Sequence, residues 1–247
     1  MRNELTHSFT TAERHEYPGR FVVFTGIDGA GKSTVTSMVA ERLRQKTPDI
    51  VEITYRRPRF SEPYVQEQAD RLDAAIWDPT QPQHLLGHRH YHFLLGAWLD
   101  TIDRRIVIPA LEQGKLVISD GWYHKQVARL FSRREFITPC QEVGFWHSLT
   151  RPDRTYLLDL PPEIAAARKG ELSPNESGQH DGTPDGGVSG FIEFQSKVRQ
   201  ELRSMLAGDE GAVTIATDRR SREEVRDLVL ENIPGDWLGR MAATADR

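Results

Sequence analysis

One stretch constrains this chain more than any other: residues 21–34, FVVFTGIDGAGKST, run from an apolar segment into a glycine-rich turn. Gly26 to Ser33 fits the pattern G-x-x-x-x-G-K-[ST] without a gap. Such glycines let successive backbone N–H groups point at phosphate oxygens, and the positive end of the following helix faces the same oxygens. A chance turn is the alternative. The context favours the motif, because Phe21–Phe24 is typical of a buried strand and Val35–Gln45 of a helix.

The motif predicts a site for the phosphates of ATP with bound Mg²⁺. Lys32 is expected to reach the β- and γ-phosphates, and the Ser33 hydroxyl to bind the metal. Asp120 directly follows the apolar run Leu116–Ser119, where a carboxylate can hold the Mg²⁺ shell; a simple turn-forming aspartate is the alternative. The predicted nucleotide-binding residues are Gly26, Asp28, Gly29, Ala30, Gly31, Lys32, Ser33 and Thr34.

Composition limits the function classes. The 247 residues suit one large domain, or one domain with an insertion. A net charge of −4 argues against a general nucleic-acid binder, which needs concentrated Lys and Arg. The single cysteine, Cys140, excludes an internal disulfide framework and favours a reducing cytoplasm. No apolar run approaches the roughly 20 residues of a membrane span.

The chain divides into an arm, a domain and a tail. Residues 1–19 are polar and predict a flexible N-terminal arm, residues 20–234 a domain built around the phosphate loop, and residues 235–247 a C-terminal tail. Strands alternating with helices predict an α/β fold, a mostly parallel sheet with helices on both faces and ligands at the carboxyl ends of its strands. The strands expected after the first are Ile50–Thr54, Leu116–Ser119, Tyr156–Leu160 and Ala212–Ala216, and Ser221 with Glu224 predicts a capping box at the last helix.

Residues 170–190 differ from the rest of the domain. They contain six glycines and two prolines without apolar periodicity. This composition is typical of a mobile lid or of a plain disordered insertion, and composition alone does not separate the two.

The chain resembles the thymidylate kinases, a family of P-loop nucleoside monophosphate kinases. The resemblance extends from about Phe21 to Ile233. It rests on the order of five segments: GIDGAGKST, TYRRP (54–58), IPALEQGKLVISD (108–120), YLLDLPPEIAAAR (156–168) and FIEFQSKVRQEL (191–202).

The resemblance implies a three-layer P-loop NTPase fold with a five-stranded parallel sheet in the order 2-3-1-4-5. It implies a kinase that moves the ATP γ-phosphoryl group to dTMP or a related nucleoside monophosphate in nucleotide biosynthesis. Asp28 would contact the sugar hydroxyl of the acceptor, and Arg56, with Arg57 beside it, the acceptor phosphate. Arg168 would lie near the ATP base and the lid. The implied catalytic residues are Lys32, Asp28, Asp120 and Arg168, and a homodimer is a further expectation.

Three departures from the family concern positive charge. Asp120 is followed by Gly121, where the resemblance implies an arginine, and the second expected arginine, on a helix predicted from His84 to Gln113, is Leu99. Neither the phosphate loop, with Asp28-Gly29-Ala30, nor the 170–190 segment supplies the expected catalytic cation. Losing such a charge in a working enzyme can cost on the order of 10³-fold in rate.

The segment after Asp120, GWYHKQVARLFSRR, offers replacements. Lys125 and Arg129 lie four residues apart and share one helix face, and Gln126 lies beside them. We expect these three residues and Trp122 to bind the acceptor, the indole with Tyr123 by stacking. A charged helix exterior over buried aromatic rings is the alternative. Further cations follow at Arg133 and Arg134.

His84, His88 and His92 form a helical stripe, with His90 off it. Zinc would need further ligands that are not evident nearby. A polar wall of the acceptor pocket and an exposed helix face are the other interpretations. The helix around Phe93–Leu99 could supply a dimer interface or face the core.

Two other functions stay open at this stage. The enzyme could phosphorylate a hydroxyl of a nucleoside or specialised metabolite, with Asp28 as the base, which would explain the absent arginines. A non-catalytic ATP-binding regulator is the second. A GTPase is disfavoured because the chain has no Asn-Lys-x-Asp segment.

Overall fold

The structure, a computed structural model, describes residues 15–78, 80, 83–132, 146, 148–178 and 186–237, with the backbone alone at 83, 84 and 88. Its five strands all pair in parallel, in the order β2-β3-β1-β4-β5. The predicted fold class and strand order are confirmed. The strands are β1 (Arg20–Thr25), β2 (Ile50–Ile53), β3 (Leu116–Ser119), β4 (Arg154–Asp159) and β5 (Ala212–Ala216).

The sheet is buried at its centre. Phe21 to Phe24 of β1 and Leu116 to Ile118 of β3 are fully inaccessible to solvent. Strands buried on both faces need apolar residues at successive positions, which is why these runs do not alternate with polar residues.

The helices pack on the sheet and on each other. Helix α1 contacts α8, and α5 contacts α7. Their bounds are α1 (Lys32–Arg44), α2 (Pro63–Trp77), α3 (Gly87–Ile102), α4 (Ile108–Glu112), α5 (Tyr123–Ser132), α6 (Pro162–Arg168), α7 (Gly187–Leu206) and α8 (Arg222–Asn232).

The helix predicted from His84 to Gln113 is interrupted. A 3₁₀ turn precedes α3, and a π-helical turn, Asp103–Val107, joins α3 to α4. Pro109 lies two residues past this turn and has no N–H to donate to the carbonyl four residues earlier, which accounts for the local change of register. The π turn is buried at Asp103, whose carboxylate accepts a hydrogen bond from the Thr150 N–H at 2.9 Å.

The ends of the domain have defined contacts. The capping box is confirmed: the Ser221 hydroxyl accepts from Glu224 N–H, and the Glu224 carboxylate accepts from Ser221 N–H. Of the predicted arm, residues 15–19 are described, and His15 lies 3.0 Å from the Asp153 carboxylate. Residues 1–14 and Cys140 are outside the described residues. Within the described part, no helix has the length and apolar character needed to cross a membrane.

Candidate active site

A cavity of about 340 Å³ opens beside the phosphate loop, where β1 and β3 end. One wall is the loop itself, here residues 26–34. The opposite wall, which we call the acceptor wall, is made of Tyr55, Arg56, Trp77, Tyr91, Gly121, Trp122, Lys125, Gln126, Arg129 and three residues of the segment predicted to be a lid, Ser173, Asn175 and Glu176, for which we keep the name lid.

The loop wall is built by the backbone. Gly26 has φ of +147°, and a Cβ there would lie 2.6 Å from the Leu158 carbonyl oxygen, so the turn fits beside β4 only with glycine. No side chain caps the first turn of α1, in contrast to α8. The first N–H groups of α1 are therefore left without a side-chain cap, as an anion site at a helix N-terminus requires.

Lys32 is held inside this turn. Its ammonium group donates to the carbonyls of Ile27 at 2.8 Å and Gly26 at 3.1 Å. Burial, together with the positive charge of Lys125, lowers the pKa of Lys32 to about 8, although Asp28 and Asp120 act in the opposite direction. Two negative groups, Asp28 and Asp120, and two other cations, Lys125 and Lys169, thus lie within electrostatic range of the Lys32 ammonium group.

Asp28 joins the two walls of the cavity. Its Oδ1 accepts a hydrogen bond from Lys125 Nζ at 2.6 Å, and its Oδ2 accepts one from Gln195 Nε2 at 3.0 Å. Burial alone would raise the pKa of Asp28, but the charges of Lys125 and Lys32 outweigh it and hold that pKa well below its usual range. The carboxylate is therefore ionised and bonded through both oxygens.

Asp120 occupies the position expected after β3. It is 8% exposed and lines the cavity, and its Oδ1 accepts a hydrogen bond from the Tyr55 N–H at 2.6 Å. Ser33 is exposed to the same cavity from the start of α1. A carboxylate and a hydroxyl are oxygen ligands of the kind that Mg²⁺ prefers, so this pair suits the predicted metal.

The acceptor wall carries two more cations. The Arg56 guanidinium lies over the Trp77 ring, 4.2 Å from its centroid. Arg129 is buried; it donates to Asn175 Oδ1 at 2.6 Å and lies 5.5 Å from the Tyr91 ring. Arginine stacked on aromatic rings is a rigid, oriented donor, which suits the binding of an anion.

Gln126 and Tyr55 complete this wall. Gln126 Nε2 donates to the Tyr55 hydroxyl at 3.3 Å, and Gln126 Oε1 is buried with no hydrogen-bond partner among the described residues. Burial raises the pKa of Tyr55, so its hydroxyl stays protonated. A buried amide oxygen without a partner is costly, and a donor on a bound ligand would satisfy it.

The other predicted site residues lie away from the centre of the cavity. Trp122 lines it, but its side chain is 2% exposed and its indole N–H donates to the Thr150 carbonyl. Tyr123 is buried outside the lining. Arg57 is exposed and does not line the cavity, and Arg168 donates to the Thr217 carbonyl at 3.2 Å. Arg133 and Arg134 are outside the described residues.

The two missing arginines have a structural explanation. A Cβ on Gly121 would lie 3.0 Å from Cγ of Tyr55, so the Tyr55 ring fills the space that a longer side chain would need. Leu99 is fully buried in the core, where an arginine would leave an uncompensated charge. The Tyr55 ring beside Gly121 and the core around Leu99 therefore leave no space for either arginine.

The histidine stripe has no defined metal geometry. The side chains of His84 and His88 are outside the described part, His90 is exposed, and His92 is buried with its ring 6.4 Å from that of Trp146. Within the described residues no group of three His, Cys, Asp or Glu side chains could hold a metal ion.

Sequence reasoning missed Gln195. This fully buried residue donates to both Asp28 and the Glu176 carbonyl, and so connects the loop, the lid and α7. A polar residue among the core-facing positions Phe191, Phe194 and Val198 of one helix was the signal that could have identified it. Tyr55, Trp77, Tyr91 and Asn175 were also missed.

Comparison with known proteins agrees with this geometry. The family model for thymidylate kinase matches residues 24–229. The thymidylate kinase of Cupriavidus taiwanensis is 31% identical over 216 residues, 85% of this chain and 95% of the relative. That of Cupriavidus necator is 35% identical over 216 residues, again 85% of this chain and 95% of the relative.

A solved structure shows the same fold. The crystal structure of thymidylate kinase from Ehrlichia chaffeensis superposes with a TM-score of 0.61 at 17% identity, over 87% of this chain and 99% of that one. The predicted class of enzyme, an ATP-dependent kinase, is confirmed by the relatives. The extent of the family match leaves one assignment: this chain belongs to the thymidylate kinase family.

Proposed function

We propose that the protein transfers the γ-phosphoryl group of ATP to thymidine monophosphate, dTMP. The observation that carries the proposal is that one cavity has a phosphate loop on one wall and Arg56, Lys125 and Arg129 on the other. Two facing cationic walls suit a reaction in which both partners are anions. The names of the relatives supply the identity of the acceptor.

On this proposal the loop amides and Lys32 bind the β- and γ-phosphates, and Ser33 with Asp120 would hold Mg²⁺. The metal, when bound, would offset charge on the phosphate oxygens. Arg56 would bind the acceptor phosphate, while Gln126 would accept a hydrogen bond from the acceptor. The lid residues 171–178 would exclude water from the cavity.

Hydroxyl phosphorylation with Asp28 as the base is less well supported. A general base works best with a pKa near the operating pH, whereas the pKa of Asp28 is held low by Lys125 and Lys32. Both of its oxygens also accept hydrogen bonds from protein groups. Three cations facing the loop favour a phosphorylated acceptor instead.

The test follows ADP release with ATP, Mg²⁺ and a panel of nucleosides and nucleoside monophosphates. We expect turnover with dTMP. Turnover with unphosphorylated acceptors alone would support the hydroxyl kinase, and ATP binding without turnover on any acceptor would support the regulator.

Lys32→Met should lower kcat by on the order of 10³-fold or more, because the developing charge on the phosphates loses its cation. Lys197→Met is the matched control, since Lys197 is half exposed on α7 and pairs with Glu193 four residues earlier on the same helix. Full activity of Lys32→Met would contradict the assignment of the loop.

The cytoplasmic location and the homodimer stay predictions.

A further inference from the structure

We propose that Lys125 is a catalytic residue of this enzyme, donating to the phosphoryl group in transfer while Asp28 holds its ammonium group in position. The inference rests on the proposed function and adds to it a cation that comes from α5, on the acceptor wall. Lys125 would then donate hydrogen bonds to the γ-phosphoryl group during its transfer, in addition to binding the acceptor.

The position of Lys125 carries the inference. Its Nζ lies 2.6 Å from Asp28 Oδ1, and Asp28 belongs to the phosphate loop, so the ammonium group lies where the two walls meet. The side chains of the pair are 17% and 22% exposed, which keeps their interaction in a partly dry environment. The charge of Lys125 also reaches Lys32 and helps to lower its pKa.

The other cations on the acceptor wall have different surroundings. Arg56 stacks on Trp77, and Arg129 donates to Asn175 of the lid and lies near Tyr91 and Phe194. The charge of Arg129 also helps to lower the pKa of Asp28. Lys125 bonds directly to this loop residue at 2.6 Å, which places its ammonium group beside the loop that would hold the γ-phosphate.

The step has a simple balance. An oxygen of the acceptor phosphate forms a bond to the γ-phosphorus, the bond from that phosphorus to the bridging oxygen breaks, and the electron pair leaves with ADP. A dianionic acceptor needs no proton removed. An ammonium group has three N–H donors, of which Asp28 uses one. Two remain for oxygens of the transferred group, whose negative charge Lys125 would offset.

The first test is steady-state kinetics of Lys125→Met and Lys125→Arg. We expect the Met variant to lose about 10²- to 10³-fold in kcat, with the KM for ATP changed by less than about threefold, as for other transition-state cations. The Arg variant should recover at least about a tenth of the wild-type kcat, because it restores the charge. Lys197→Met serves as the control and should match the wild type.

The second test needs no acceptor. Beryllium fluoride bound with ADP imitates the γ-phosphoryl group, so we compare the Kd of ADP with and without it. Lys125→Met should lose most of the affinity that beryllium fluoride adds, about tenfold, and leave the Kd of ADP alone within twofold. An unchanged gain would overturn the proposal. Absence of dTMP turnover by the wild type would instead overturn the proposed function. The binding measurement would even then test whether Lys125 contacts the γ-phosphoryl position, because it needs no acceptor.

A third comparison separates catalysis from simple neutralisation of Asp28. If Lys125 only compensated the buried carboxylate, Asp28→Asn combined with Lys125→Met would regain activity, since no charge would be left unpaired. We expect the double variant to stay as slow as Lys125→Met. Recovery to near wild-type kcat would overturn the proposal.

Discussion

The two walls of the cavity are built by different means. The loop wall is one continuous stretch, residues 26–34, whose proposed binding groups are the backbone amides and Lys32. The acceptor wall takes side chains from α2, α3, α5, the lid and the segment after β2. A backbone-built wall depends on a few special positions, whereas a wall of side chains can change one contact at a time.

Two of the three departures from the family lie on the acceptor side, while the third, the missing catalytic cation, concerns the loop and the segment 170–190. Gly26 to Ser33 keeps the complete motif. Both missing arginines belong to the acceptor side, where Tyr55 fills the space beside Gly121 and Leu99 is buried in the core. On the proposed function, the donor half of the reaction would depend on the geometry of one continuous stretch, and the acceptor half on side chains that can change separately.

Among changes that test how the two walls are built, the largest effect should come from the backbone of the loop wall. Gly26→Ala puts a Cβ 2.6 Å from the Leu158 oxygen at a φ of +147°, so the loop must move. We expect kcat/KM for ATP to fall by roughly 10²-fold or more, because a displacement of about 1 Å is enough to misplace reacting groups. Steady-state kinetics at varied ATP concentration measures the fall.

Gly114→Ala is the matched control. Gly114 also has a positive φ, +76°, but a Cβ there meets nothing within 4 Å, and the residue lies in the turn before β3. It should lose about 1 kcal/mol of stability from backbone strain and keep its activity. If the two variants lost activity equally, the geometry of the loop would not be what fixes the donor half.

A smaller and more selective effect is expected on the acceptor wall. Asn175 accepts a hydrogen bond from Arg129 and donates one to the Tyr91 hydroxyl at 3.3 Å, tying the lid to α5 and α3. Asn175→Ala should raise the KM for dTMP about tenfold, the size of one lost hydrogen bond to a charged group, and leave the KM for ATP within about twofold.

Asn232→Ala provides the reference for this change, because Asn232 is exposed on α8 and donates only to the Leu228 carbonyl of its own helix in the described contacts. It should leave both KM values unchanged. An equal rise in the two KM values for Asn175→Ala would show that the lid contributes equally to ATP and dTMP binding. That result would contradict the difference drawn between the two walls.

The same division explains what the sequence could predict. The loop and the positions of Lys32 and Asp120 follow from local patterns, because each depends on residues close in sequence. The strand order pairs segments far apart in the chain and was predicted from the resemblance to the family. The helix from His84 to Gln113 was only partly right, since the π turn before Pro109 depends on how that segment packs.

The acceptor wall could be predicted only in part. Lys125, Gln126 and Arg129 were found because they share one short helix. Tyr55, Tyr91 and Asn175 are far apart in sequence and meet only after folding, so no local pattern marks them. The role of Trp122 also depended on burial: an indole next to a predicted site is equally suited to stacking and to the core, and here it is 2% exposed.

The smallest predicted effect concerns the support of the acceptor wall and depends on pH. His124 on α5 is 3% exposed, and burial, with Arg151 adding to it against the effect of Asp209, lowers its pKa to about 4. The unfolded chain binds a proton there near pH 6.5 and the folded chain does not. The free energy of unfolding therefore decreases as the pH falls from about 6.5 to about 4, and His124 accounts for roughly 1–3 kcal/mol of that decrease.

His124→Phe should remove that loss, because a phenyl ring fills the same space without a proton to gain. Thermal unfolding from pH 4.5 to 7.5 should show a wild-type Tm that falls several degrees further than that of the variant, at about 2–4 °C per kcal/mol for a chain of this size. His90→Phe, an exposed site on α3, should keep the wild-type slope. Equal slopes for wild type and His124→Phe would contradict the lowered pKa of His124, because the acid loss of stability would then come from other groups.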